Sequence, residues 1–67
     1  MTIYVNDKAT EIAEGLTLQT WLEGQGMADR KGLAVARNGA VVSRAQWAET
    51  PLQAQDKIVL IGVFYGG

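Results

Sequence analysis

The 67-residue chain contains no cysteine and no histidine. Without thiols it can build neither a disulfide framework nor a thiolate metal site, and a ferredoxin-type cluster is excluded. Without imidazole the usual general base and zinc ligand are missing as well. Charge is also sparse: seven acidic and six basic residues leave a net charge of -1 and are spread along the chain. No basic stripe exists to release counterions from a phosphate backbone, which argues against nucleic-acid binding as the main role. The opening Met1-Thr2-Ile3-Tyr4-Val5-Asn6-Asp7 lacks the basic flank of a secretory signal. The longest apolar stretch, Ile58 to Phe64, falls far short of the roughly 20 residues of a membrane helix. A cytoplasmic chain with no membrane partner is the expectation.

What is present is a globular balance, 48% hydrophobic against 19% charged residues, too apolar for intrinsic disorder. A chain this short buries only roughly 60% of its unfolded surface, so one core is expected and an active-site cleft would compete with it. Thr2-Ile3-Tyr4-Val5 and Ala9-Thr10-Glu11-Ile12-Ala13 read as strands joined by turn chemistry at Asn6-Asp7-Lys8, an N-terminal hairpin. Asn6 and Asp7 are read as turn formers rather than metal ligands, and no metal or cofactor site is expected. After Gly15, Thr17 stands as an N-cap ahead of Leu18, Trp21 and Leu22 at helical spacing. Leu16 and Trp21 have the spacing of a hydrophobic staple, which makes Trp21 a core residue. Gly24 and Gly26 stop the helix after about two turns.

Met27 to Lys31 reads as a connecting loop. Leu33 to Arg37 then forms a strand with Leu33 and Val35 inward, Asn38-Gly39 a tight type I′ turn, and Ala40-Val41-Val42 the return strand. Ser43 is placed to cap a single helical turn through Trp47, Pro51 excludes regular helix soon after, and Gln55-Asp56-Lys57 turns into the last strand. Trp47 is assigned to a satellite core under the loop from Arg44 to Pro51, a partner contact being the other reading. The order gives an α+β fold, a four- to five-stranded sheet with one main helix on one face.

The last strand is apolar on both faces, although one helix can cover only one of them. With Ile58 and Leu60 under the helix, Val59, Ile61 and Val63 point the other way, joined by Tyr4 from the first strand. This set of four is the candidate partner surface, a homodimer contact or an ordinary apolar surface being the alternatives. The strand runs into Tyr65-Gly66-Gly67. Residues 1–64 are expected to form the domain and 65–67 a flexible, extended C-terminal tail. Glycines can thread a channel too narrow for a Cβ. A terminal carboxylate, with pKa about 3.3–3.7, is a poor electrophile and requires activation, most plausibly by ATP. The chain has no phosphate-cradling GxxxxGK[ST] loop and no paired nucleophile and base, so no catalytic residue is assigned and a separate activating enzyme is implied.

These features together resemble the ubiquitin-like β-grasp sulfur carriers, most closely those of thiamine biosynthesis. The likeness spans nearly the whole chain: Ile3-Tyr4-Val5-Asn6-Asp7, Gly15-x-Thr17-Leu18 with Leu22, Ala34 to Gly39, Val42-x-Arg44-x-x-Trp47, Asp56-Lys57-Ile58 and Gly66-Gly67. The resemblance implies a β-grasp fold with a mixed sheet, and a protein that is a carrier and co-substrate rather than an enzyme. It implies that Gly67 is adenylated by an E1-like, ATP-using enzyme and converted to a thiocarboxylate, with Tyr65, Gly66 and Gly67 threading into the partner. A sulfur donor of cysteine desulfurase or rhodanese type and a thiazole synthase as acceptor are the further partners implied. The small subunit of molybdopterin synthase, another sulfur carrier, and a β-grasp interaction module without tail chemistry are the alternatives. Two departures stand out: Gln55 occupies a position that is often glycine, and Phe64-Tyr65 is bulkier than usual, as a partner anchor or a cover for the sheet end.

Overall fold

The computed structural model describes residues 1–62. Strands β1 (Thr2–Val5) and β2 (Lys8–Glu11) form the first hairpin, helix α1 spans Leu18–Gly24, and β3 (Ala34–Arg37) and β4 (Ala40–Val42) form the second hairpin. A 3₁₀ helix, Arg44–Glu49, precedes β5 (Lys57–Ile61). The sheet order is β2-β1-β5-β3-β4, with β5 in the centre, parallel to β1 and antiparallel to β3. This is an α+β arrangement within the four to five strands read from the sequence, and its sheet is mixed, as the resemblance implies.

Local chemistry accounts for the elements. Both hairpin turns put residues at positive φ, Asn6 and Asp7 at 49° and 68°, Asn38 and Gly39 at 52° and 86°, as type I′ turns require. Thr17 caps α1 through a reciprocal box with Thr20: its Oγ1 accepts the Thr20 N–H at 3.2 Å while its own N–H reaches Thr20 Oγ1 at 2.9 Å. The helix ends in a Schellman arrangement, with the Gly26 N–H donating to Glu23 and the Met27 N–H to Leu22. Gly26, at φ +72°, makes that reversal without a Cβ penalty.

The 3₁₀ helix is longer than the single turn expected, and Ser43 stands at its N-cap position without a side-chain cap bond. Its backbone is anchored elsewhere. The Leu18 N–H donates to the Thr50 carbonyl at 2.8 Å and the Leu52 N–H to Leu16 at 2.9 Å, while Thr17 bridges Pro51. The connection to β5 is thereby tied to the start of α1.

Leu18, Trp21 and Leu22 of α1 lie in one buried cluster with Ile3, Val35 and Ile58 of the sheet, and Trp47 and Leu52 belong to the same cluster. Each such side chain contributes about 1.5–3 kcal/mol through burial. The helix covers the face of β5 that presents Ile58. The opposite face has no covering element among the described residues.

Candidate functional site: the open sheet face and the end of β5

Alternation along β5 divides its apolar side chains as read from the sequence. Ile58 is buried and Leu60 packs partly against the core, whereas Val59 is 42% and Ile61 55% exposed. Register extends this open face across the sheet. Ala36 pairs with Val59 and Ala34 with Ile61, and Val41 of β4 pairs with Ala36. Val59, Ala36 and Val41 therefore form one row over three strands, with Val41 75% exposed. Tyr4, half-buried, lies on the same face of β1, opposite Lys57.

The sequence reading placed Val59, Ile61 and Tyr4 together and missed Val41, Ala34 and Ala36. The signal was available in Val41-Val42. Two adjacent apolar residues in a strand point to opposite faces, and Val42 packs toward the core. Ala36 keeps the row low between the two valines, so the face is shallow rather than ridged. Val63, Phe64, Tyr65, Gly66 and Gly67, which carry the remaining site assignments, lie outside the described residues.

The geometry of β5 itself is fixed by side chains at both ends. At its start, Asn38 Oδ1 accepts the Lys57 N–H at 2.9 Å and the Asn38 N–H donates to the Lys57 carbonyl at 2.8 Å. Just before it, Asp56 is buried at 4% exposure and accepts four hydrogen bonds. Arg37 supplies Nε at 2.8 Å and Nη2 at 3.4 Å, Asn38 its amide at 3.0 Å, and Gln53 its backbone N–H at 2.8 Å. Burial pushes the Asp56 carboxyl up, but the bonds from Arg37, Gln53 and Asn38 outweigh it and hold the group below its ordinary range. At the other end of β5, Asn6 Oδ1 accepts the Leu60 N–H at 2.8 Å.

The Arg44-x-x-Trp47 segment is structural. Trp47 is buried and donates Nε1–H to the Val42 carbonyl at 3.0 Å. The Arg44 guanidinium lies 4.5 Å from the ring centroid and donates to the carbonyls of Ala28 and Arg30, clamping the loop after α1. A cleft of about 310 Å³ between β2 and α1 is lined by Ile12, Leu16, Thr20 and Trp21, with Glu11 the one ionisable group among its described lining residues. That cleft holds no acid–base pair.

Comparison with known proteins agrees with this geometry. The model of the ThiS family matches residues 2–67. The chain is 40% identical over 67 residues to the sulfur carrier protein ThiS of Escherichia coli (strain K12), covering the whole of both chains. It is 39% identical to part of a thiazole synthase of Magnetococcus marinus, where the match spans all of this chain and 20% of that protein. A crystal structure of the thiamine biosynthesis protein ThiS from Geobacter metallireducens superposes with a TM-score of 0.84 at 26% identity, covering all of both chains.

Proposed function

The chain belongs to the ThiS family, and from that premise we infer that it is a sulfur carrier of thiamine biosynthesis whose Gly67 bears the transferred sulfur. The observation that carries this reading is the end-to-end match with the sulfur carrier of E. coli, in which each chain is covered completely. The protein is a carrier and not a catalyst.

The chemistry follows from what a carboxylate lacks. The Gly67 carboxylate attacks the α-phosphorus of ATP on a separate activating enzyme, releasing pyrophosphate and forming an acyl-adenylate. A sulfide equivalent from a sulfur donor then displaces AMP and leaves a thiocarboxylate. Sulfur in that form is a better nucleophile than the carboxylate oxygen and travels bound to the protein. The match to a thiazole synthase of M. marinus supports thiazole formation as the destination and a thiazole synthase as the acceptor partner. The open face of Tyr4, Ala36, Val41, Val59 and Ile61 is the surface on which partners dock, because an uncovered apolar patch on a small domain costs solubility unless it is used. Docking through β5 delivers the residues that follow it to the partner's active site.

The test is intact mass spectrometry after incubation with ATP, the activating enzyme and a sulfur source. The carrier gains the mass of one sulfur less one oxygen, and the chain lacking Gly67 gains nothing. An unchanged wild-type mass, with the activating enzyme shown to be active, refutes the reading in favour of an interaction module.

A further inference from the structure

Asn38 and Gly39 form the exposed tip of the second hairpin, and Asn6 is the only other asparagine in the chain. An asparagine followed by glycine is prone to self-cyclisation, because glycine has no Cβ to crowd the attacking nitrogen; Asp7 after Asn6 does have one. Nothing beyond its chain neighbours lies within 4 Å of where a Cβ would stand on Gly39, so water reaches the turn.

Two features of the fold oppose the reaction. Cyclisation requires Cβ and the Gly39 nitrogen to be eclipsed about the Cα–C bond of Asn38. At φ +52° Asn38 lies in the left-handed region, where ψ is about +30 to +60° and those two atoms stand nearly opposite. The side chain is also held at both polar atoms: Nδ2 donates to Asp56 Oδ1 at 3.0 Å, and Oδ1 accepts the Lys57 N–H at 2.9 Å. Neither contact survives a flip of the amide, since the Lys57 N–H can only donate and an ionised carboxylate only accept. Asn38 is therefore restrained by its turn and its hydrogen bonds, not by burial.

We propose that Asn38 is a deamidation site held dormant by Asp56, and that its modification keeps the junction into β5 from reforming. When the junction opens, the Gly39 nitrogen loses its proton and attacks Asn38 Cγ. The new C–N bond closes a five-membered succinimide, and the side-chain nitrogen leaves as ammonia. Water then adds to one of the two ring carbonyls and cleaves its bond to the ring nitrogen, giving aspartate or an isoaspartyl linkage. In the aspartate an oxygen replaces Nδ2, so one carboxylate faces the other at Asp56 with no proton between them. The isoaspartyl product adds a methylene to the backbone of a two-residue turn, which the pairing of Arg37 with Ala40 does not accommodate. The modification is independent of what Gly67 carries.

The full chain is incubated in mildly alkaline buffer with and without denaturant and then digested with trypsin, a zero-time digest setting the background. Cleavage after Arg37 and Arg44 isolates Asn38, and cleavage after Lys8 isolates Asn6. Deamidation adds the mass of one oxygen less that of one NH. The expected rate at Asn38 in the native chain is at least about tenfold below that in denaturant, where Asn6 lags behind it. Folded Asp56→Ala recovers about tenfold, whereas Leu22→Ala, which weakens the helix side of the core, gives a smaller gain at an equal or lower melting temperature. Where Asp56→Ala does not fold, Asp56→Asn takes its place with a gain of about threefold. Asn38→Asp, which reproduces one product, melts at least about 5 °C below wild type. Equal rates with and without denaturant, or a gain at Asp56 no larger than that in Leu22→Ala, overturns Asp56 as the restraint. A wild-type melting temperature in Asn38→Asp overturns the consequence drawn for the junction.

Discussion

Arg37 Nε lies 2.8 Å from Asp56 Oδ2, and this ion pair joins the end of β3 to the residue that immediately precedes β5. The arrangement concentrates on one buried carboxylate the tasks of ending β3, ordering the Gln53–Asp56 turn and seating the Asn38 amide. Removing that carboxylate strands all of its donors at once.

Asp56→Ala is accordingly expected to destabilise the fold by about 3 kcal/mol, near the lower end for breaking a buried pair because Arg37 keeps partial access to water. For a domain of this size that corresponds to a fall in melting temperature of roughly 12–24 °C, read by thermal circular dichroism. Asp56→Asn preserves shape and should cost less.

The same group sets an acid limit. Its folded pKa is depressed, so its contribution is fully present above the unfolded carboxylate value of about 3.9 and is lost as pH falls below that through the folded pKa. Glu11, exposed and bonded to the Thr2 hydroxyl, is also lowered, and its contribution falls away in the same direction. Denaturant midpoints measured from pH 6 downward should drop below about pH 4 in the wild type. In Asp56→Asn the decline should be shallower but not abolished; an unchanged slope would show that Asp56 is not the group responsible.

Most of the fold was legible because its local signals were redundant. Thr17 ahead of Leu18, Trp21 and Leu22, and Asn38-Gly39 between two apolar runs, each specify an element by chemistry within a few residues. The Asp56 cluster was not legible, because it depends on residues 19 apart being brought together by strand order. The breadth of the open face was legible in part: Val41-Val42 already puts one valine outward, but that Val41 lies in line with Val59 follows only from the register of β3 with both neighbours. Arg44-x-x-Trp47 was visible as a signature, yet its job, clamping Ala28 and Arg30 carbonyls, required the path of the loop.

Gln55 provides a prediction from backbone strain. It sits at φ +70° in the turn before Asp56, a conformation that costs an ordinary L-residue about 1–2 kcal/mol. Glycine adopts it freely but loses about 0.5–1 kcal/mol through greater freedom in the unfolded chain. Gln55→Gly should therefore stabilise the protein by about 0.5–1 kcal/mol, seen as a higher denaturant midpoint at constant slope. Gln55→Ala, which retains the Cβ, should give no such gain, and this separates backbone relief from loss of the side chain.

The open face makes the last prediction, and it separates docking from folding. Ile61 and Val41 are 55% and 75% exposed, so an aspartate at either position keeps its charge in water and should leave the circular-dichroism spectrum and melting temperature nearly unchanged. In a complex the same charge would be desolvated against an apolar partner without a counter-ion. Ile61→Asp should weaken binding to the activating enzyme at least tenfold, about 1.4 kcal/mol, in a calorimetric titration. Val41→Asp tests whether the contact crosses β3 to the sheet edge. Weakening by both variants assigns the open face from β5 to β4 to docking, and weakening by Ile61→Asp alone confines the contact to β5 and its neighbours. Loss of the folded spectrum in Ile61→Asp would instead make Ile61 part of the core, and the docking face would have to be sought elsewhere.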